Sequence, residues 1–363
     1  MVKQLAVFHF FILLVLLPVN SFAQKDSLTT KKDTVQKLKF SFLADAYFSN
    51  DFTSNQHLKP SYNYNYKRNN ELNFNFIYFK TAYVYKNRRA NLAFHSGNYV
   101  QYNYSNEPVL LQFINEASVG IKVSKKHAIW LDAGIMPSHL GFESALNTDC
   151  QTLSRSVLAE NSPYYETGLK LNYSHPSEKW FVNLLAINGW QRIASKTPSF
   201  SPSIGLQLNY TPTKKWLFNY SNFIGKINDL TPYTRNYHNF YFQFKSTSKV
   251  NVTGGFDFGF DIRANQTSNW KALVLIVQKE HSKRIKYAGR IEYVHDPFLT
   301  IIPFEGTQTA RKMMVCSANF DYWILKQLVV RLEGKYVYSS SKIVDFSSLN
   351  NWSTIANVSY VFN

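Results

Sequence analysis

The chain of 363 residues carries 40 Lys and Arg against 23 Asp and Glu, a formal net charge of +17. Only 17% of its residues are charged, against roughly 25% in soluble domains, while aromatic residues reach 17%. After residue 23 the longest apolar run is 272–277, far short of the ~20 residues that a transmembrane helix needs, which excludes a helical membrane protein.

Residues 1–23 are typical of a secretory signal peptide. Lys3 gives a short positive start, an apolar run follows, and a small residue precedes the expected cleavage site between Ala23 and Gln24. Cleavage leaves residues 24–363 as a single domain with a net charge of 39 − 23 = +16. Export argues against nucleic acid as a partner, despite the basic charge.

Beyond this segment, apolar and polar residues alternate with a period of two. Ile204, Leu206 and Leu208, for example, alternate with Gly205 and Gln207. Such alternation is typical of strands with one apolar and one polar face. Sixteen strands are predicted, most of them far longer than the ~5–6 residues usual in soluble proteins: 39–49, 71–85, 90–104, 113–123, 127–136, 163–173, 179–188, 203–211, 215–225, 236–245, 249–261, 269–280, 284–295, 312–324, 327–338 and 352–362.

The connections between these segments alternate in length. Seven are short, at 87–89, 124–126, 175–178, 212–214, 246–248, 281–283 and 325–326. Eight are long, at 50–70, 105–112, 137–162, 189–202, 226–235, 262–268, 296–311 and 339–351. Transmembrane barrels combine short periplasmic turns with long external loops, whereas a soluble sandwich has no reason to keep this alternation. The sequence therefore predicts an all-β fold, a transmembrane antiparallel β-barrel of about 16 strands (14–18).

Aromatic residues cluster near the predicted strand ends, among them Tyr104, Trp180, Trp216 and Trp270. We expect them to form the interfacial girdles of a membrane barrel. The two cysteines, one in the third long connection and one in a strand, are too few for a disulfide framework.

The third long connection, 137–162, is the longest. In a barrel of this size such a loop can fold inward and narrow the pore, so that its polar groups set solute preference. The candidate constriction residues are Ser138, His139, Glu143, Arg155 and Glu160. The alternative is a loop that lies over the mouth and only stabilises the barrel.

Ser138 and His139 with a nearby carboxylate also suggest a barrel hydrolase, since a hydroxyl, an imidazole and a carboxylate form a nucleophilic triad. No Gly-x-Ser-x-Gly turn supports this alternative. His139 and Glu143 lack the His-Glu-x-x-His pattern of a zinc site. We therefore expect no catalytic residue, metal or cofactor. A periplasmic glycan-binding β-protein is a third alternative.

Six basic residues occupy the polar face of the predicted strands, which is the lumen of a barrel. They are Lys122, Lys170, Lys286, Arg290, Arg331 and Lys335. Carboxylates share this face, so many of these charges are expected to pair across strands. The basic excess predicts a lumen that favours anions.

Four short segments carry information beyond the alternation of strands and loops. Residues 130–144 (WLDAGIMPSHLGFES), with 158–166 (LAENSPYYE), 188–192 (NGWQR) and 44–47 (ADAY), resemble the OmpL-like β-barrel porin family, outer-membrane porin type 2. The resemblance implies a Gram-negative outer-membrane porin that passes small hydrophilic solutes down their gradients. It also implies outer-membrane lipid as a partner, and a homo-oligomer is an open possibility. The family supplies no ligand residues to carry over.

Overall fold

The computed structural model describes residues 37–53, 56–195, 201–227, 233–302, 311–340 and 348–362. The predicted signal peptide, with Ala23 and Gln24, lies outside them. The described residues form sixteen strands: β1 (Lys37–Asp51), β2 (Leu72–Tyr85), β3 (Arg88–Ser96), β4 (Ile114–Lys122), β5 (Ala128–Pro137), β6 (Tyr165–Ser174), β7 (Trp180–Ile187), β8 (Ser203–Thr213), β9 (Trp216–Ile227), β10 (Tyr233–Lys245), β11 (Val250–Ile262), β12 (Thr267–Glu280), β13 (Ile285–Asp296), β14 (Arg311–Trp323), β15 (Leu328–Ser339) and β16 (Asn350–Phe362).

The strands close into one barrel. Each strand pairs antiparallel with its neighbours in the sequence, and β1 pairs with β16 in a register that sets Ala46 opposite Val358. Closure leaves no unpaired edge, which a sheet crossing a membrane requires because the bilayer offers no water to the backbone. The predicted sixteen-stranded antiparallel barrel is confirmed.

Successive side chains alternate between the lumen and the outside. In β16, Trp352 and Val358 are exposed on the outer face, while Asn351, Asn357 and Ser359 are buried inside. An outer face that is apolar and an inner face that is polar invert the usual order of a soluble protein and match a wall in contact with lipid.

One predicted strand, 90–104, is shorter than expected because the chain leaves the sheet at Gly97. This residue adopts a φ of 117°, and a Cβ atom there would lie 2.5 Å from the carbonyl oxygen of Asn75. The chain then turns into a short helix, α1 (Asn98–Asn103). The second helix, α2 (Val157–Glu160), lies in the third loop. No helix in the described ranges is long and apolar enough to span a membrane.

Seven turns lie at one end of the barrel and eight loops at the other, as the parity of the connections predicts. In outer-membrane barrels the short turns are periplasmic. We name the first four loops L1 (52–71), L2 (97–113), L3 (138–164) and L4 (188–202).

Two aromatic residues assigned above to the girdles lie inside the barrel instead. Tyr104 is 1% exposed, with its ring stacked on Tyr165 at 4.1 Å between centroids, and Trp270 is 2% exposed on the inner face of β12. Both were misplaced because proximity to a strand end does not say which face a side chain occupies. Trp180 and Trp216 lie on the outer face as expected.

Candidate functional site

L3 folds into the barrel and contacts the inner face of the wall. The Asn147 side chain donates to Ser359 Oγ of β16 at 2.8 Å, the Leu153 amide to Asn319 Oδ1 of β14 at 3.0 Å, and the Val157 amide to Glu292 Oε2 of β13 at 2.7 Å. L3 leaves the wall between β5 and β6, so these contacts carry it across the lumen.

His139 fixes the start of L3 to the wall. Its Nδ1 donates to Glu166 Oε1 of β6 at 2.8 Å, and its Nε2 donates to the main-chain oxygen of Asn222 in β9 at 2.7 Å. Both partners are acceptors, so the ring needs a proton on each nitrogen. Burial lowers the pKa of His139, but the Glu166 carboxylate and the hydrogen bond to the Asn222 main-chain oxygen together outweigh this, and the net direction is upward.

The wall accommodates this ring through two local adjustments. Gly205 of β8 lies under the imidazole, and a Cβ atom there would approach His139 Nε2 to 2.6 Å. The Leu206 amide donates to Asn222 Oδ1 at 3.0 Å, so the Asn222 side chain provides the acceptor for that amide while its main-chain oxygen accepts from His139.

Ser138 and His139 do not bond to each other as a nucleophile and a base would. The Ser138 hydroxyl donates to Glu166 Oε1 at 3.1 Å, and both His139 nitrogens are occupied as donors. A histidine with two donor nitrogens has no lone pair to accept a proton from serine. Among the described residues no group of three or more His, Cys, Asp or Glu is placed to hold a metal ion.

Arg155 joins separate parts of L3 to one another. This fully buried side chain donates to the main-chain oxygens of Ser144, Leu153 and Ala145 at 2.8, 2.7 and 2.6 Å. Glu143 accepts hydrogen bonds from the amide and hydroxyl of Ser156. Burial raises the pKa of Glu143. These contacts close the loop into a compact unit rather than presenting free charges to the lumen.

Glu160, the last of the predicted constriction residues, joins L3 to L1. Its carboxylate accepts from the main-chain amides of Tyr64 at 2.9 Å and Asn65 at 3.1 Å, and burial raises its pKa. Nothing in the sequence pattern pointed to L1 as its partner, because the two loops are about 95 residues apart.

The two arginines predicted to line the lumen anchor L3 to the wall. Arg290 donates to Thr152 Oγ1 and the main-chain oxygen of Ser154, both at 2.6 Å, and it lies 2.7 Å from Glu292 and 3.3 Å from Glu333. Buried ion pairs of this kind are costly to break, because the remaining charge is then buried alone.

Arg331 pairs with Asp321 at 2.7 Å and donates to the main-chain oxygen of Asn147 at 2.6 Å. The charges of both arginines are therefore neutralised by neighbouring carboxylates. Both arginines therefore join the wall directly to L3.

The four lysines of the predicted lumen set differ from the arginines. Lys286 pairs loosely with Glu280 at 3.5 Å, near the periplasmic end. Lys122, Lys170 and Lys335 have no carboxylate within ion-pair distance among the described residues. Lys335 is 5% exposed, whereas Lys122 and Lys170 are only partly buried.

An apolar core lies between L3, L1 and the extracellular part of the inner wall. Leu158 of L3 and Tyr62 of L1 pack among inner-wall residues that include Phe223, Trp270 and Met313. These inner-wall positions are apolar on a face that is otherwise polar. The sequence offered this signal, since Trp270 and its neighbours lie in phase with the polar face of their strands.

Beside L3 lies a cavity of about 400 Å³, which we call the vestibule. Its wall carries Tyr78, Lys80 and Glu116, and its L3 side includes Ser138 and Glu143. Lys80 and Glu116 pair at 2.6 Å. The other predicted constriction residues, His139, Arg155 and Glu160, do not line it.

The sequence matches the family described as "Putative beta-barrel porin-2, OmpL-like" over residues 37–362. No curated protein matches it. Among solved structures, the anion-selective porin from Comamonas acidovorans has a TM-score of 0.63 at 6% identity, covering 90% of this chain and 100% of that one. The outer membrane channel DcaP of Acinetobacter baumannii has 0.60 at 10%, covering 92% and 99%. In vitro folded OmpT of Vibrio cholerae, in its trimer form, has 0.59 at 8%, covering 90% and 99%. At these identities the likeness concerns the fold.

Proposed function

Since the chain belongs to the OmpL-like β-barrel porin-2 family, which makes it an outer-membrane porin, we propose that small hydrophilic solutes diffuse through the vestibule beside L3. The observation that carries this route is the contrast between the packed and the open parts of the lumen. Folded loops and an apolar core occupy the packed part, while the vestibule has the size of a small-molecule pocket and a mixed polar and aromatic wall.

L3 forms the constriction in this proposal. Its inward fold and its contacts with β13, β14 and β16 support that role, as does its position along one side of the vestibule. Ser138 and Glu143 face the solute path, whereas His139, Arg155 and Glu160 keep the loop in its inward conformation.

A modest preference for anions belongs to the same proposal. Arg290, Arg331 and Lys286 contribute little to it, since each lies beside a carboxylate. Lys122 and Lys170 on the inner faces of β4 and β6 are the fixed charges that would attract anions. Their effect falls with ionic strength, because the Debye length is ~10 Å at 0.1 M salt.

The hydrolase alternative gives way in this proposal to a positioning role for Ser138 and His139. Both side chains are committed to Glu166, which supports that role. A serine-directed fluorophosphonate probe should leave the refolded protein unlabelled. Stoichiometric labelling of Ser138 would instead support the hydrolase hypothesis. The outer-membrane location replaces the alternative of a soluble periplasmic glycan-binding protein.

Self-association is a further part of the proposal, supported by the trimer form of the structurally similar OmpT. Mass measurement of the protein extracted in mild detergent should give a multiple of the 42.1 kDa chain, less the signal peptide.

The route can be tested with a cysteine placed in the vestibule. Gln243 lines this cavity from β10. A Gln243→Cys variant, in a background where Cys316 is replaced by Ala, should lose conductance in planar bilayers when a bulky thiol reagent is added. The native chain provides the matched control, because Cys316 is exposed on the outer face of β14 and its labelling should leave conductance unchanged. Unchanged conductance of labelled Gln243→Cys would show that solutes take another path.

A further inference from the structure

The seven turns and the eight loops differ sharply in charge. The turns, which lie strictly between the strand ends, contain ten basic residues and one acidic residue, Glu178. The loops between the same strands contain eight basic and eight acidic residues. We call the ten turn residues the basic ring: Lys86, Lys125, Lys126, Lys179, Lys214, Lys215, Lys249, Lys283, Arg284 and Lys326.

The basic ring is exposed and without carboxylate partners. All ten side chains are exposed to solvent. None of them forms an ion pair within the part of the chain that the structure describes. The ring therefore differs from the lumen arginines Arg290 and Arg331, whose charges are neutralised by Glu292 and Asp321. Ten neighbouring like charges repel one another, so an anionic partner would stabilise this rim.

The ring lies just beyond an aromatic girdle on the outer face. Trp180 stacks on Tyr210 at 4.2 Å and Trp216 approaches Phe244 to 4.5 Å between ring centroids, each at a strand end next to a turn. Aromatic girdles mark the level where acyl chains meet headgroups. Basic side chains one to three residues further on, at about 3.3 Å per residue, therefore lie in the headgroup layer.

The distribution of the ring around the rim selects the kind of partner. Each of the seven turns contributes at least one basic residue, so the charge is not concentrated in one sector. A single docked protein would contact one sector, whereas an annulus of lipid surrounds the whole rim. We propose that the basic ring binds the anionic headgroups of phospholipids in the periplasmic leaflet, a role that is separate from solute passage.

Five substitutions in three well-separated turns test this role. Lys125→Gln, Lys126→Gln, Lys214→Gln, Lys215→Gln and Lys283→Gln remove half of the ring charge, and the matched variant replaces the same lysines with Arg and keeps it. The refolded proteins are placed in vesicles of phosphatidylcholine mixed with phosphatidylglycerol, one of the two lipids being brominated. In a background where Trp352, the outward-facing tryptophan at the loop end, is replaced by Phe, quenching of the lipid-facing Trp180 and Trp216 reports which lipid lies against the turn end.

The wild type and the Arg variant should prefer phosphatidylglycerol, and this preference should weaken in 1 M salt, where the Debye length is ~3 Å. The Gln variant should lose at least fivefold of the preference, the factor that corresponds to about 1 kcal/mol, roughly the contribution of one basic residue near an anionic surface. Heat-modifiable gel mobility and single-channel conductance confirm that each variant is folded.

An unchanged lipid preference in the Gln variant would overturn the proposal. So would an equal loss in the Arg variant, because the effect would then not follow the charge. A change confined to ion selectivity would assign the ring to solute attraction instead. The lipid readout does not depend on conduction, so its failure and a failure of the proposed route are distinguishable.

Discussion

The part of the lumen where L3 packs and the inner wall away from it treat charge in opposite ways. Where L3 packs, Arg290 and Glu160 are buried and each has several protein partners. On the inner faces of β4 and β6, Lys122 and Lys170 are half-buried and have no carboxylate within ion-pair distance among the described residues. A charge taken out of water must be paired, whereas a charge left in water need not be. The first region therefore holds a folded structure in place, and the second is free to act on solutes.

Replacing Arg290 with Met should release L3 from the wall. Glu292 and Glu333 would remain buried without their cation, which costs about 3–5 kcal/mol. Urea unfolding of the refolded barrel in vesicles measures the loss, and conductance should rise as L3 leaves the lumen.

Lys286→Met is the control near the periplasmic end. Lys286 and Glu280 are about one-third exposed at 3.5 Å, so this change should cost less than about 1 kcal/mol. Equal losses in the two variants would contradict the contrast between the region packed by L3 and the rest of the wall.

Gly205→Ala should weaken the attachment of L3 at its other end. The added methyl group would approach His139 Nε2 to 2.6 Å, and crowding of this kind costs about 1–3 kcal/mol. Thermal unfolding compares this variant with Gly334→Ala, where no atom lies within 4 Å of the added group. We expect a loss only at Gly205, and a similar loss at Gly334 would mean that any added methyl group disturbs the wall.

Raising the pH should loosen the same attachment. The pKa of His139 is raised in the folded protein, so its contribution to stability is complete below the unfolded pKa of ~6.5 and is lost as the pH rises through the folded value. The unfolding midpoint should fall between pH 6 and pH 9 by more in the wild type than in His139→Gln.

Comparison with that variant removes the contribution of Lys59 in L1. Burial lowers the pKa of Lys59 to about 7, so its effect on stability has the opposite sign and is common to both proteins. Identical pH profiles would show that His139 is not charged in the folded state.

The smallest effect is expected from the two half-buried lysines on the inner faces of β4 and β6. Replacing Lys122 and Lys170 with Gln should reduce the anion preference measured as a reversal potential in a salt gradient, with little change in stability. Lys125→Gln with Lys126→Gln is the control, since those residues lie in a turn and not on the inner face of a strand. A larger shift in the control would move the selective charge from the wall to the rim.

The wall could be predicted from the sequence because each strand carries its own signal. In β8, for example, the alternation of Ile204 and Gly205 indicates which side chain faces outward and which faces the lumen. The alternation of short and long connections fixes the direction of every strand. The lumen could not be predicted in the same way. Arg155 carries the charge expected of a selectivity residue, yet it binds three carbonyl oxygens of its own loop. The spacing of residues along the chain does not encode such contacts. The role of the constriction residues stays a prediction.

The contacts of L3 also constrain the order of assembly. Val157 and Asn147 bind Glu292 and Ser359, residues 135 and 212 positions later in the chain. Contacts between such distant residues form slowly, because a long stretch of chain must be ordered first. The loop thus has no complete docking surface until β16 has been added and closed against β1. A barrel arrested before its last strand would leave the Asn147 part of L3 undocked, and the time at which that part becomes resistant to protease would mark closure of the seam.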